Sequence, residues 1–252
     1  MRTLKMTIAY RGTNYHGFQR QTNAKTVQGE LEQQLSRVLN GPVTVYGCSR
    51  TDTGVHANAF VLHLHTEREI RCLNLVRALN GYLPPDISVL ACEDTVPEFH
   101  ARFDCRGKEY LYRIHCHESK NPFMRDLAFH YRRPLDAEKM RYAAEKIVGQ
   151  HDFHSFCAQA TDEMNCVRTI YGVSVTQNGC EVDVRVRGDG FLYNMVRIFV
   201  GTLLDINEGI YSPDAIPEIL AARDRLAAGR TAMAHGLYLN RVFYDDAEIH
   251  GF

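Results

Sequence analysis

Apolar and polar residues alternate along Leu4–Tyr10, Val43–Cys48, Ala59–Thr66, Val89–Asp94, Lys108–His117, Thr169–Gln177, Cys180–Gly188 and Leu239–Tyr244. A period of two turns successive side chains to opposite faces, so each stretch predicts a β-strand. A period near 3.6 predicts helices over Val27–Leu39, Leu73–Tyr82, Ala137–Val148, Phe191–Ile206 and Asp214–Ala227. Thr26 and Asp136 precede two of them as capping residues, and Ser212-Pro213 reads as a cap and first-turn proline for the last. Asn178-Gly179, between two strands, supplies the positive φ angles of a two-residue turn and predicts an antiparallel hairpin. Strands and helices mix without a regular βαβ alternation, which favours an α+β class. A boundary near residue 104 then separates an N-terminal α+β domain, 1–104, from a C-terminal one, 105–252.

Length and composition change this picture little. The chain has 252 residues, 45% hydrophobic and 23% charged, enough for one large domain or two small ones. No uncharged apolar run reaches the 18 residues that a membrane span needs. The N-terminus runs straight into a strand with no signal-peptide pattern, so a soluble, cytoplasmic protein is expected. The eight cysteines are scattered and contain no Cys-x-x-Cys pair, which predicts reduced, mostly buried thiols. His115-Cys116-His117 lies in an alternating strand whose neighbouring side chains diverge, so no metal is expected there.

A net charge of −1 gives no global sign of a nucleic-acid partner. Basic residues do outnumber acids between Arg102 and Lys146, which reads either as an RNA-facing stretch or as an ordinary solvated surface.

Four segments hold residues able to do chemistry. Arg11-Gly-Thr-Asn-Tyr-His-Gly-Phe-Gln-Arg20 follows the first strand and is too polar for a core element. Arg11, Asn14, Tyr15, His16, Phe18, Gln19 and Arg20 can meet phosphates and stack on bases, or the segment is a plain long connection. In Gly47-Cys-Ser-Arg-Thr-Asp-Thr-Gly-Val-His56, Asp52 stands at the tip of a tight link between strands, two residues from Arg50. A carboxylate beside a guanidinium stays ionised and can act as nucleophile or base; the same residues also suit a local turn. Tyr110 and Tyr112 share one face of a strand, to stack on bases or to pack the sheet. Arg197 interrupts the apolar helix from Phe191, and a buried guanidinium there calls for a carboxylate or phosphate partner, structural or functional.

Asp52-Thr53-Gly54 also spells the triplet of aspartic proteases. Arg50 opposes the protonated carboxyl that such an enzyme needs, and a single triplet would demand a dimer. A noncatalytic RNA-binding module is the other alternative.

Taken in order, the four segments resemble the tRNA pseudouridine synthase A family, from the first strand to Gly236-Leu-Tyr-Leu239. Ser49-Arg-Thr-Asp-Thr-Gly-Val-His-Ala57 is the most specific match. The resemblance implies the pseudouridine synthase fold, a mainly antiparallel mixed sheet flanked by helices around a central RNA-binding cleft. It implies isomerisation of uridine to pseudouridine at positions 38, 39 and 40 of transfer RNA, after base flipping. Asp52 becomes the catalytic aspartate, Arg50 the residue that displaces the target base, Tyr110 the ring against the uracil, and Arg197 the partner of the aspartate. Two departures occur: Tyr193 and Asn194 stand where the family often has histidines, and Glu109 where basic residues are common. No cofactor is expected, because substrate and product are isomers and no dinucleotide or P-loop motif is present. A homodimer that RNA bridges is implied, with no membrane and no other protein partner.

Overall fold

The structure is a computed structural model, and it describes residues 1–161 and 163–249. Its strands, in chain order, are β1 (Arg2–Tyr10), β2 (Val45–Gly47), β3 (His56–Thr66), β4 (Ile87–Thr95), β5 (Gly107–Cys116), β6 (Phe129–Tyr131), β7 (Gly149–Asp152), β8 (Val167–Asn178), β9 (Glu181–Gly188) and β10 (Leu237–Phe243). The helices are α1 (Val27–Leu39), α2 (Cys72–Tyr82), α3 (Ala137–Ala144), α4 (Met195–Asn207), α5 (Ile216–Ala222) and α6 (Asp246–Ile249). The mixture is α+β, with mostly antiparallel strand pairs. No helix among the described residues is long and apolar enough to cross a membrane.

The chain divides into two compact units: Met1–Arg106 with Tyr238–Tyr244, and Gly107–Leu237 with the residues from Asp245 onward. In the first unit the strand order is β4-β1-β3-β10, with β2 on β3. Strand β1 pairs antiparallel with β3, Leu4 opposite Leu64 and Ile8 opposite Phe60, and with β4 on its other side. Its alternation works as the sequence predicts. Leu4, Met6 and Ile8 are fully buried while Lys5, Thr7 and Ala9 keep partial exposure. Helix α1 buries Val27, Leu31, Leu35 and Leu39, the stripe of an amphipathic helix. Thr26 caps it, accepting from the Gly29 amide at 3.2 Å, and Asn40 closes it in the left-handed region at φ 56°. The register between β1 and β3 slips between Ile8 and Tyr10. Such a bulge bends a strand and re-aims its side chains, here at the end that delivers Tyr10 to the Asp52 connection.

In the second unit the order is β5-β9-β8-β7, all antiparallel, with β6 parallel to β5. Helix α4 is its apolar axis: every residue from Ile198 to Ile206 is buried. Gly201 allows the Arg230 carbonyl to press against this helix, where any Cβ would collide with it.

The structure corrects several local expectations. The β8–β9 turn is Gly179-Cys180, since Asn178 still pairs with Glu181. Only Gly179 has positive φ, 57°, which suits a turn with glycine in the first central position. Helix α4 starts at Met195, because Asn194 adopts φ 60° and ends the preceding turn. Ser212-Pro213 forms a turn in which the Ser212 hydroxyl accepts from the Asp214 amide, and α5 starts at Ile216 with Pro217 in its first turn. It stops at Ala222 because Arg223 is left-handed. Strands β6 and β7 escaped the pattern, being three and four residues long with half-exposed histidines in them. All eight cysteines are free, but only Cys48, Cys157 and Cys166 are buried.

Candidate active site

The first unit brings together two of the segments singled out in the sequence. The connection between β2 and β3 holds Thr51-Asp52-Thr53-Gly54-Val55, and the Arg11–Arg20 segment folds directly on it. The Phe18 amide donates to the Thr51 carbonyl at 3.2 Å, and the Gly54 amide to the Tyr15 carbonyl at 3.3 Å. The Asp52 carbonyl accepts from the Val55 amide at 3.1 Å, closing the turn that holds the carboxylate half-exposed.

Side chains lock the same joint. Tyr10 and Thr51 share a hydroxyl hydrogen bond of 2.8 Å, and the Gly12 amide donates to His56 Nδ1 at 2.9 Å. A Cβ at Gly12 would overlap the Val55 carbonyl, and one at Gly17, where φ is +83°, would lie 2.5 Å from the Thr51 carbonyl. Both glycines are therefore needed for the close approach of the two backbones.

The Arg11–Arg20 residues divide into buried anchors and exposed side chains. Tyr15 is 1% exposed and donates its hydroxyl to Asp86 at 2.6 Å, and burial together with that acid pushes its phenol well above the ordinary range. Phe18 is 3% exposed and stacks on Phe60 at 4.1 Å between ring centroids. Neither ring offers an open face to a base, so both are scaffold, contrary to the stacking role expected of them. Asn14 joins Tyr15 on Asp86, at 3.1 Å, and the Arg11 amide donates to the Asp86 carbonyl. Arg20 pairs with buried Glu32 at 3.0 Å. Arg11, His16, Gln19 and Arg50 are exposed at the rim. Sequence reading missed Asp86, Tyr10, Thr51 and His56 as positioning residues. Asp86 follows Pro84-Pro85, where it reads as a simple turn residue, and no spacing links it to Tyr15, 71 positions away.

The second unit places the other two segments. Tyr110, on β5, is buried and meets Phe191 edge-to-face at 5.0 Å. Tyr112 is fully buried and donates to the Met233 carbonyl at 2.8 Å; burial drives its phenol far up, with Arg197 nearby opposing that rise. Arg197, in the first turn of α4, is only half-buried. It donates to the Ala232 carbonyl at 2.8 Å and to Asn194 Oδ1 at 2.7 Å. These two acceptors help to fix the guanidinium's direction, which gives Asn194 a role at its unusual position. Glu109, the other departure, is buried in an ion pair with Arg187 at 2.7 Å and has no surface role.

The basic stretch is less basic than its sequence suggests. Arg113 pairs with Asp183, Arg125 with Asp126, Arg133 with Glu208, Arg141 with Glu138 and Lys146 with Asp214. A cavity of about 550 Å³ in this unit is lined by His115, His130, His235, Lys120 and Arg125, with Pro122 and Met124 as apolar wall. Burial lowers the proton affinity of His235, with Asp126 opposing, so this histidine lines the cavity in its neutral form near neutral pH.

The first unit thus presents a half-exposed carboxylate on a braced turn, and the second presents an oriented guanidinium and a buried tyrosine beside an aromatic ring. The chain belongs to the tRNA pseudouridine synthase family, whose pattern matches residues 6–104 and 143–245. It is 45% identical over 248 residues to the tRNA pseudouridine synthase A of Exiguobacterium sibiricum, covering 98% of this chain and 99% of that one. The enzyme of the same name from Brevibacillus brevis is 46% identical, covering 97% of this chain and 100% of the relative. That of Bacillus subtilis is 44% identical, with 96% and 99% covered. Membership removes the aspartic-protease reading of Asp52-Thr53-Gly54, and with it the alternative of a noncatalytic RNA-binding module.

Proposed function

We propose that this enzyme, an isomerase that converts uridine in transfer RNA to pseudouridine, works on the anticodon arm at positions 38, 39 and 40, with Asp52 as its catalytic carboxylate. The reaction breaks the bond from N1 to C1′, turns the uracil and joins C5 to C1′; the proton of C5 is lost and N1 gains one. Atoms and electrons balance within the substrate, so no cofactor is called for. Asp52 opens the sequence by attacking C1′, by adding to the ring or by removing a sugar proton, and all three need it ionised. Arg197 is assigned as the countercharge of Asp52, and Tyr110 as the surface on which the detached ring turns. A stacked uridine exposes too little of C1′ and C5, so it must swing out at a cost of a few kcal/mol. Arg50 and the exposed ends Arg11, His16, Gln19 and Arg20 are assigned to the RNA, filling the vacated place and holding phosphates. A cytoplasmic homodimer completes the reading.

The observation that carries it is the bracing of one connection: Asp52 is the single acid in Gly47–His56, and the Arg11–Arg20 segment grips that connection through Thr51, Gly54 and Val55. Pseudouridine formation on transfer RNA, followed by tritium release from C5, should vanish in Asp52→Asn while RNA affinity stays within a few fold. An Asp52→Asn enzyme that turns over at the parent rate rules the assignment out. Light scattering with and without transfer RNA reads the dimer.

A further inference from the structure

We propose that Asp152, His154 and Cys166 form a binding site for one divalent metal ion of the zinc type, outside the RNA-modifying machinery. The three come together at the neck of the connection between β7 and β8. Asp152 ends β7 opposite Val167, and the Phe153 amide donates to the Cys166 carbonyl at 3.0 Å, so the backbone itself holds the two ends of the connection side by side. Each residue offers one donor atom, and the three atoms lie within 4.8 Å of one another. Around a tetrahedral zinc with bonds of roughly 2.0–2.3 Å, donors stand about 3.4–3.8 Å apart, so the gap to close is small.

Independent features of the site fit an ion. His154 Nδ1 is shielded from solvent and has no hydrogen-bond partner, a cost that a metal bond removes. Cys166 is 2% exposed, so its sulfur sits in an interior where thiolate is favoured only beside a strong positive charge. Asp152 already has the supporting bonds of a ligand carboxylate: Oδ1 accepts the His154 amide at 3.0 Å and Oδ2 pairs with Arg223 at 3.0 Å. Each oxygen keeps a further lone pair, and these partners fix the carboxylate's orientation as outer contacts do in metal centres. The set of one carboxylate oxygen, one imidazole nitrogen and one thiolate suits zinc or cobalt and excludes the hard magnesium and calcium ions. An open cleft of about 400 Å³, lined by Asp152, His151 and Arg223, reaches the Asp152 side of the site. The bound ion clasps the β7–β8 connection at its base.

The full chain, without an affinity tag and stripped by chelator, is titrated with cobalt(II) and then zinc. One equivalent of cobalt should give a thiolate-to-cobalt charge-transfer band and the intense visible bands of a tetrahedral ion, both abolished by zinc. Cys166→Ser should lose the charge-transfer band, His154→Ala should weaken binding by about a hundredfold or more, and Cys72→Ser should change neither. His154 is half-exposed in a short turn, so His154→Ala remains informative if Cys166→Ser does not fold. No charge-transfer band in the parent chain, or a band that survives Cys166→Ser or disappears in Cys72→Ser, overturns the site.

Discussion

At the scale of single residues, Glu109 and Arg187 show how far a side chain's role depends on burial. Their side chains are 4% and 5% exposed, Arg187 bonds Glu109 through Nε and Nη2, and its Nη1 donates to the Ile249 carbonyl. Removing one partner strands a buried charge, so Glu109→Ala should cost about 3–5 kcal/mol in urea unfolding. Removing both restores a neutral interior, and Glu109→Leu with Arg187→Met should recover most of that loss. A single variant as stable as the parent shows that water reaches the pair. The sequence marks Glu109 as unusual without hinting that Arg187 faces it, because their pairing follows from the β5–β9 register, in which the two stand opposite. Asp52 stands out in the sequence for a different reason: its neighbours Ser49 to Ala57 are contiguous, so a local motif carries the signal on which its proposed role rests. Tyr15 and Phe18 were misread because a polar segment conceals aromatic anchors, and only the positions of Asp86 and Phe60 decide that their rings face inward.

At the scale of elements, periodicity located the long strands and amphipathic helices because burial of one face dictates both the pattern and the structure. It failed where that link is weak: in β6 and β7, too short for a period, and at the starts of α4 and α5, where Asn194 and the Ser212-Pro213 turn reset the backbone. The Arg11–Arg20 segment belongs to the same class, since its order comes from docking on the Asp52 connection. Gly17→Ala tests that docking. The new methyl must both adopt φ +83° and push aside the Thr51 carbonyl 2.5 Å away, next to Asp52, the carboxylate proposed as catalytic. A backbone of this kind costs about 1–3 kcal/mol, a modest loss that thermal unfolding should record. Turnover should fall much further, on the order of 10²-fold with folded enzyme, because displacement near 1 Å at a catalytic group carries that penalty. If activity falls only in step with the folded fraction, the glycine serves stability alone.

At the scale of the whole molecule, the division into units was only partly open to sequence reasoning. Residues 238–244 return to the first unit, and β10 pairs in parallel with β3 at His56 and Ala57, at the foot of the Asp52 connection. No local pattern announces a partner some 180 positions distant. The first unit also contributes to the molecule's response to acid through His63 on β3. His63 is buried, stacks on Tyr46 at 4.9 Å, and accepts the Ala101 amide at Nδ1. Burial, with His100 and His65 close by and Asp104 opposing, lowers its pKa to about 4, against an unfolded value of 6.5. A base with a depressed folded pKa favours the native state fully above pH 6.5 and loses that contribution as pH falls toward 4, since the unfolded chain takes up the proton first. The loss levels off below pH 4 at a total on the order of 2 kcal/mol, allowing for water reaching the ring edge. Urea unfolding between pH 6.5 and 4 should therefore show a slope that drops by close to one proton in His63→Gln, whose amide oxygen can still accept from Ala101. Superimposable pH profiles for the two proteins show that the acid response lies in the carboxylates instead.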